Sequence, residues 1–213
     1  MIESAHGIIL RTRPLTETSL IVHWLTPELG RLATVAKGAR RPKSSFAGKL
    51  DLFYSSDFSF RRSRSSDLHM LREVKLCETH AALRDDVLKL QQAAYAVNFI
   101  TQTTETETRL PEIHELLGEF LAALCTNKAQ PQNIFAMELK LLRELGMEPE
   151  LTETGLTPGA KKIASILLET DWAAMSRLVL SAAQRAEIRQ WLHGFLTFHL
   201  GHLPRGRTAA LAE

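Results

Sequence analysis

The sequence predicts an α+β chain, a small five-stranded β-barrel followed by an all-α bundle, because its hydrophobic period changes once, near residue 80. Before that point five short segments are alternating, β-branched or aromatic, and clusters of Pro, Gly and Ser separate them. After it, wide apolar stripes recur at helical spacing, each preceded by capping residues or proline. With 213 residues, 45% of them hydrophobic and 23% charged, the chain has enough apolar material for a core in each part. The expected division is a barrel over residues 1–81 and a helical domain over residues 82–213.

The first strand is expected from His6 to Arg13, with Ile8, Leu10 and Thr12 on one side, Ile9, Arg11 and Arg13 on the other, and Pro14 ending it. Thr18 to Leu25 is the second, and Thr26-Pro27-Glu28-Leu29-Gly30 has turn composition. Arg31 to Arg40 is the third, running into a basic loop where Gly38 relaxes the backbone and Pro42 stops the strand. Leu52 to Arg62 is the fourth, with Leu52, Tyr54, Phe58 and Phe60 sharing one face. Leu68 to Cys77 is the fifth, with Leu68, Met70, Val74 and Leu76 inward and Arg72 meeting a carboxylate or lying near the rim. Five strands in about 80 residues fit the oligonucleotide-binding (OB) type of barrel, which takes a strand across one face and between projecting loops.

Past His80, Leu83, Val87, Leu90, Ala94 and Val97 make the stripe of a helix reaching Thr101. Thr103 to Arg109 is a polar, acidic loop in which Glu105 and Glu107 are expected to be solvated. Pro111 and Pro131 open two further helices, and Gly146 closes the second of them. Thr157-Pro158 starts a short helix through Leu168. Ser181 and Gln184 form a capping box for the last long helix, whose apolar residues are Ile188, Trp191, Leu192, Phe195 and Phe198. The tail from Pro204 to Arg207 is expected to be loosely ordered.

The net charge of +2 hides an asymmetry: residues 1–81 hold 13 Lys/Arg against 8 Asp/Glu, and the rest 13 against 16. Between Lys37 and Arg64 stand 8 basic and 2 acidic residues, a field that attracts polyanions. The basic loop Lys37, Arg40, Arg41 and Lys43, with Lys49 after it, and the basic turn Arg61, Arg62 and Arg64 both flank the fourth strand. Arg11, Arg13 and Arg31 on the strands, with Arg205 and Arg207 in the tail, complete the candidate nucleic-acid-binding set. Phe46, beside the loop, is the aromatic best placed to stack on a base.

Motifs for catalysis are missing. Gly48-Lys49 lacks the rest of a phosphate-binding loop, and neither a Ser elbow nor a His-Glu-x-x-His helix occurs. His193, His199 and His202 have no convergent third ligand with a supporting shell, so they read as helix-end histidines. Cys77 and Cys125 form no C-x-x-C pair. The expectation is therefore a binding protein rather than an enzyme, without cofactor or metal, with no membrane-spanning segment, and in the cytoplasm near the nucleoid.

Gly7-Ile8-Ile9-Leu10-Arg11-Thr12-Arg13-Pro14, Glu17-Thr18-Ser19-Leu20-Ile21-Val22, Leu25-Thr26-Pro27, Gly30-Arg31-Leu32, the run Val35 to Ser44 and Leu71-Arg72-Glu73 resemble the RecO family of bacterial DNA repair proteins. The likeness is dense over residues 6–81 and looser through Phe135 to Gly146 and Phe195 to Gly201. It implies an OB barrel and a helical domain that bind single- and double-stranded DNA and anneal complementary strands. It also implies the partner RecR, action on RecA loading, and docking of the acidic tail of single-strand DNA-binding protein on the helical domain. A tail of that kind needs an apolar pocket rimmed by cations; Phe135, Leu139, Lys140 and Arg143 are the preferred place for it, and the segment around Lys161 and Lys162 is the other. The four-cysteine zinc motif that the family often carries finds no cysteine in Pro149 to Thr157, so zinc is not expected there. Two other readings compete with this one: an RNA-binding OB protein, and a helical interaction scaffold with no direct nucleic-acid role.

Overall fold

In the computed structural model, which describes residues 2–175 and 177–212, the first eighty residues close into a five-stranded barrel of order β1-β2-β3-β5-β4. Its strands are β1 (Ile2–Pro14), β2 (Leu20–Thr26), β3 (Gly30–Ala36), β4 (Ser55–Arg61) and β5 (Leu68–Glu78). Neighbouring strands are antiparallel except β3 and β5, where Ala33, Thr34 and Val35 lie parallel to Leu68, His69 and Met70. β1 begins four residues before the expected start because Ile2 to Ile8 pairs with Arg61 to Ser55. Closing the barrel requires both edges of β1, which a local apolar pattern does not report.

The barrel interior is filled by Ile9, Val22, Trp24, Leu32, Phe46, Phe58, Phe60, Leu71 and Val74. Trp24 stacks on Phe58 at 4.1 Å, and its indole N–H donates to the Thr34 hydroxyl at 2.9 Å, so the one polar atom of the ring is satisfied inside the core. Two face assignments differ from the sequence reading. In the turn before β4, which starts at Ser55 rather than Leu52, Phe53 points inward and Leu52 outward, because Phe53 takes a left-handed φ of 67° and donates its N–H to the Ile9 carbonyl. In β5 a register shift opposite Ser59 and Phe60 turns His69 and Leu71 inward, leaving Leu68 and Met70 only half-buried and Arg72 exposed.

The chain divides into two compact units, Met1–His80 with Glu105–Gly118, and Ala81–Thr104 with Glu119–Glu213. Residues 105–118 therefore group with the barrel, although their place in the sequence assigns them to the helical part. The reason is visible at Gly30. It sits at φ +63°, and a Cβ there would lie 1.8 Å from the Thr108 carbonyl oxygen. Only glycine lets this strap approach so closely. The Glu107 N–H donates to the Arg31 carbonyl at 2.9 Å, and the Leu110 N–H donates to the Pro27 carbonyl at 3.1 Å.

The helical elements are α1 (Val87–Thr103), α2 (Pro111–Thr126), α3 (Pro131–Glu144), α4 (Pro158–Glu169), α5 (Trp172–Met175), α6 (Ala182–Leu200) and α7 (Arg207–Ala210). Asp86 caps α1 through the Leu88 N–H, which shifts the helix start past Leu83 and leaves Val87 71% exposed. Of the expected stripe Leu83 and Val97 are buried, Leu90 is half-buried and Val87 and Ala94 are exposed; Tyr95, Phe99 and Ile100 carry the rest of the buried side of α1. α3 is the central helix, buried from Pro131 to Leu142 including Glu138 and Lys140. The Thr157 cap and the Ser181–Gln184 capping box form as the sequence indicates. On α6, Ile188, Leu192 and Leu196 are buried, whereas Phe198 is 83% exposed.

Candidate nucleic-acid interface

The basic loop between β3 and β4 is not loose. Successive turns brace it, with N–H to carbonyl bonds from Arg41 to Gly38, Ser44 to Arg41, Ala47 to Ser44 and Lys49 to Phe46. Phe46, 7% exposed, anchors the loop in the barrel core, which removes it as a stacking surface. The β1–β2 turn lies alongside: the Arg40 N–H donates to the Thr18 carbonyl at 3.0 Å, and the Arg40 guanidinium to the Thr16 carbonyl at 3.2 Å. Lys37, Arg40, Arg41 and Lys43 are exposed, and among the described residues none of the four makes an ion pair. Lys49 follows, half-buried.

Strand register extends this charge onto the sheet. Arg13 and Arg11 face Ile21 and His23 on β2, and His23 faces Ala33 on β3, two residues from Arg31. Arg11 and Arg13 are exposed; Arg31 is half-buried, and burial lowers its pKa. His23, which no sequence motif marks, stands among these three arginines. Burial first, then the charges of Arg13, Arg11 and Arg31, hold its imidazole below the usual histidine range, so it is neutral near pH 7. A lone histidine in a β-branched strand gives no hint of such neighbours.

The second basic turn follows β4, and the register brings its first residue towards the end of β3: Arg61 pairs with Met70, and Met70 pairs with Val35, two residues before Lys37. Arg62 is engaged in a carboxylate clamp, donating to Glu3 at 2.8 and 3.0 Å and to Glu107 at 3.0 Å, and His69 also contacts Glu107 at 3.0 Å. The arginine holds the Glu3 carboxyl below the usual range. Glu107, exposed as expected, is also a partner in an ion-pair cluster, and Arg62, engaged by two carboxylates, is withdrawn from the DNA-binding set. Arg61 and Arg64 remain exposed beside it.

Two expectations in the helical unit are overturned. Arg207 is 5% exposed, and its Nε donates to Glu138 at 2.6 Å and an Nη to the other carboxylate oxygen at 2.9 Å, so it is a structural cation and the tail is docked as α7. Arg205 is exposed. The expected partner pocket on α3 is also absent: Phe135 and Leu139 are fully buried, and the Lys140 ammonium donates to the Leu168 carbonyl at 2.8 Å beside the Trp172 ring. Arg143 reaches Glu169 at 3.4 Å and Glu144 at 3.7 Å. These four residues leave no apolar opening between them to receive a peptide.

Comparison with known proteins decides the family. The family described as Recombination protein O N terminal matches residues 1–80, and Recombination protein O C terminal matches residues 84–157. The chain belongs to the RecO family. It is similar to the DNA repair protein RecO of Alkaliphilus metalliredigens, 32% identical over 153 residues, which are 71% of this chain and 61% of that protein. The RecO of Bacillus subtilis is 29% identical over 151 residues, 71% of this chain and 58% of the relative. The RecO of Anaeromyxobacter dehalogenans is 27% identical over 229 residues, covering 92% and 90%. In the first of these matches the chain spans about three fifths of the relative's length. The family's four-cysteine zinc set does not fit this chain: the segment after α3 holds a short 3-10 turn at Leu151–Glu153 and no cysteine. No helix among the described residues is long and apolar enough to cross a membrane.

Proposed function

We propose that this chain is a DNA-repair mediator that binds single- and double-stranded DNA without sequence preference and anneals complementary strands. The observation that carries the reading is the turn-braced loop of Lys37, Arg40, Arg41 and Lys43, exposed and without acidic partners, continuous with Arg13 and Arg11. Cations held on a rigid loop contact phosphates whatever the base, which is the requirement for annealing any sequence. The barrel supports the reading as an OB platform. Arg61, Arg64, Lys49 and Arg31 extend the path, and Arg205 supplies a cation on the helical unit. Family membership supports action with RecR in loading RecA on DNA coated by single-strand DNA-binding protein. Annealing breaks no covalent bond, and the reading needs no catalytic residue.

Salt dependence is the test. Replacing Lys37, Arg40, Arg41 and Lys43 by Ala should weaken binding to all oligonucleotides alike. It should also make the slope of log affinity against log salt shallower, by ~0.7 to 0.9 for each phosphate that is no longer neutralised. A folded quadruple variant with unchanged affinity and slope would refute the reading.

A further inference from the structure

In a cleft shared with Ser45, Phe46 and Lys49 of the basic loop, donors of three kinds converge on the outside of the barrel. His6 on β1, Asp57 on β4 and Cys77 on β5 each offer one ligand atom, and these atoms lie within 4.8 Å of one another. The strand register produces the cluster. His6 and Asp57 are direct cross-strand partners, Asp57 faces Lys75, and Cys77 follows two residues later on the same side of β5. A register shift at Ser55 and Ser56, where β4 leaves its ladder with β5, lies beside the cluster, and such a bulge re-aims side chains.

The imidazole is held from both sides. Its Nδ1 lies 2.9 Å from an Asp57 carboxylate oxygen and its Nε2 2.9 Å from the Ser55 hydroxyl. With Nδ1–H donating to Asp57 and the Ser55 hydroxyl donating to Nε2, both contacts are ordinary hydrogen bonds; in the other tautomer, with Nε2–H donating to Ser55, the Nδ1 lone pair and the carboxylate both face the place a cation would take. Orientation of a ligating histidine through its other ring nitrogen is what metal sites require. The third donor is exposed: the Cys77 sulfur lies 3.6 Å from the Lys75 carbonyl and is in no disulfide.

We propose that His6, Asp57 and Cys77 form a binding site for a zinc-class divalent cation, with water as the fourth ligand. One imidazole nitrogen, one carboxylate oxygen and one thiolate are the donor types that select such an ion over magnesium or calcium. Tetrahedral coordination at about 2.0–2.3 Å places ligand atoms about 3.5 Å apart. The His6–Asp57 pair, now at 2.9 Å, opens slightly and Cys77, within 4.8 Å of both, closes in, adjustments of roughly 1 Å in three exposed side chains. Lys75 faces Asp57 across the β4–β5 pair. The site is independent of the cysteine quartet of the family's helical domain, and it pins β1, β4 and β5 together across their outer face.

The test uses the full chain without a histidine tag, stripped with chelator and kept reduced by a phosphine. Titration with Co2+ should reach saturation at one equivalent, with the near-ultraviolet thiolate-to-cobalt band and the visible bands of a four-coordinate ion, and Zn2+ should bleach them. Cys77→Ser should abolish the thiolate band, His6→Ala and Asp57→Asn should each weaken affinity at least ~10-fold, and Cys125→Ser should change nothing. Absence of a saturable thiolate band in a large excess of cobalt, or a band that survives Cys77→Ser, would overturn the proposal.

Discussion

Replacing Arg207 by Met separates a structural cation from a DNA-binding one. In the wild type the Glu138 carboxylate, fully buried, accepts from Arg207 at 2.6 and 2.9 Å and from the Tyr95 hydroxyl at 2.6 Å. Burial and the nearby carboxylate raise the Tyr95 hydroxyl well above its ordinary value, so it stays protonated and donates. Methionine fills much of the arginine volume but leaves that carboxylate with one donor. The variant has two responses, to bury an unpaired charge or to bury the neutral acid. Neutralising an ordinary glutamate at pH 7 costs ~4 kcal/mol, which caps the electrostatic part, and a lost charge-assisted hydrogen bond adds ~1 to 2 kcal/mol. The expected loss is therefore ~3 to 5 kcal/mol, in the range found when one partner of a buried pair is removed. For a chain of this length that lowers Tm by roughly 6 to 20 °C in calorimetry. The deficit should shrink as pH falls from 7 to 5, because the folded variant takes up a proton that the wild type does not. Adding Glu138→Gln should restore part of the stability, and DNA affinity below the lowered Tm should equal the wild type's. A small change in Tm together with weakened DNA binding would refute the structural assignment.

Phe46 is a core plug, so Phe46→Leu should cost ~1 kcal/mol in chemical unfolding and leave single-strand affinity nearly unchanged in fluorescence anisotropy; a loss of ~1 to 3 kcal/mol in binding would instead mark a stacking residue. His23 is held below its ordinary 6.5 by burial and three arginines. Bound phosphates cancel part of that field, so binding takes up a proton and DNA affinity should rise as pH falls below 6.5, by up to ~10-fold per unit for one proton. His23→Gln should flatten that dependence, and an identical slope in the variant would remove His23 from the interface.

The fold was legible wherever a local pattern caused it. Period 2 and period 3.6 reflect which side of an element is buried, and Asx, Ser and Thr caps act within four residues, so the Thr157 cap and the Ser181–Gln184 box could be read directly. Non-local causes were invisible. The shift that turns Leu71 inward depends on how β5 registers on β4, and the docking of residues 105–110 depends on Gly30, seventy-eight positions before Thr108. Helix α1 shows a third limit: an element buried on more than one side has no single stripe to find, and Gln92 is as buried as Phe99.

The same distinction governs the candidate interface. Whether an arginine can meet a phosphate depends on the acids within about 4 Å of it, and those come from anywhere in the chain. Arg62 is claimed by Glu3 and Glu107, 59 and 45 positions away, and Arg207 by Glu138, 69 positions away. Composition counts these arginines as basic surface; the fold neutralises them. The loop from Lys37 to Lys43 escapes for a reason that the sequence does contain: no Asp or Glu occurs between Glu28 and Asp51. An acid-free window this long cannot be neutralised by its own turns, and with Phe46 buried and its backbone amides bonded in succession, the loop has few ways to fold its charges onto distant acids. A basic run therefore predicts a phosphate contact when it is acid-free and braced. Scattered arginines predict one only after their partners are known.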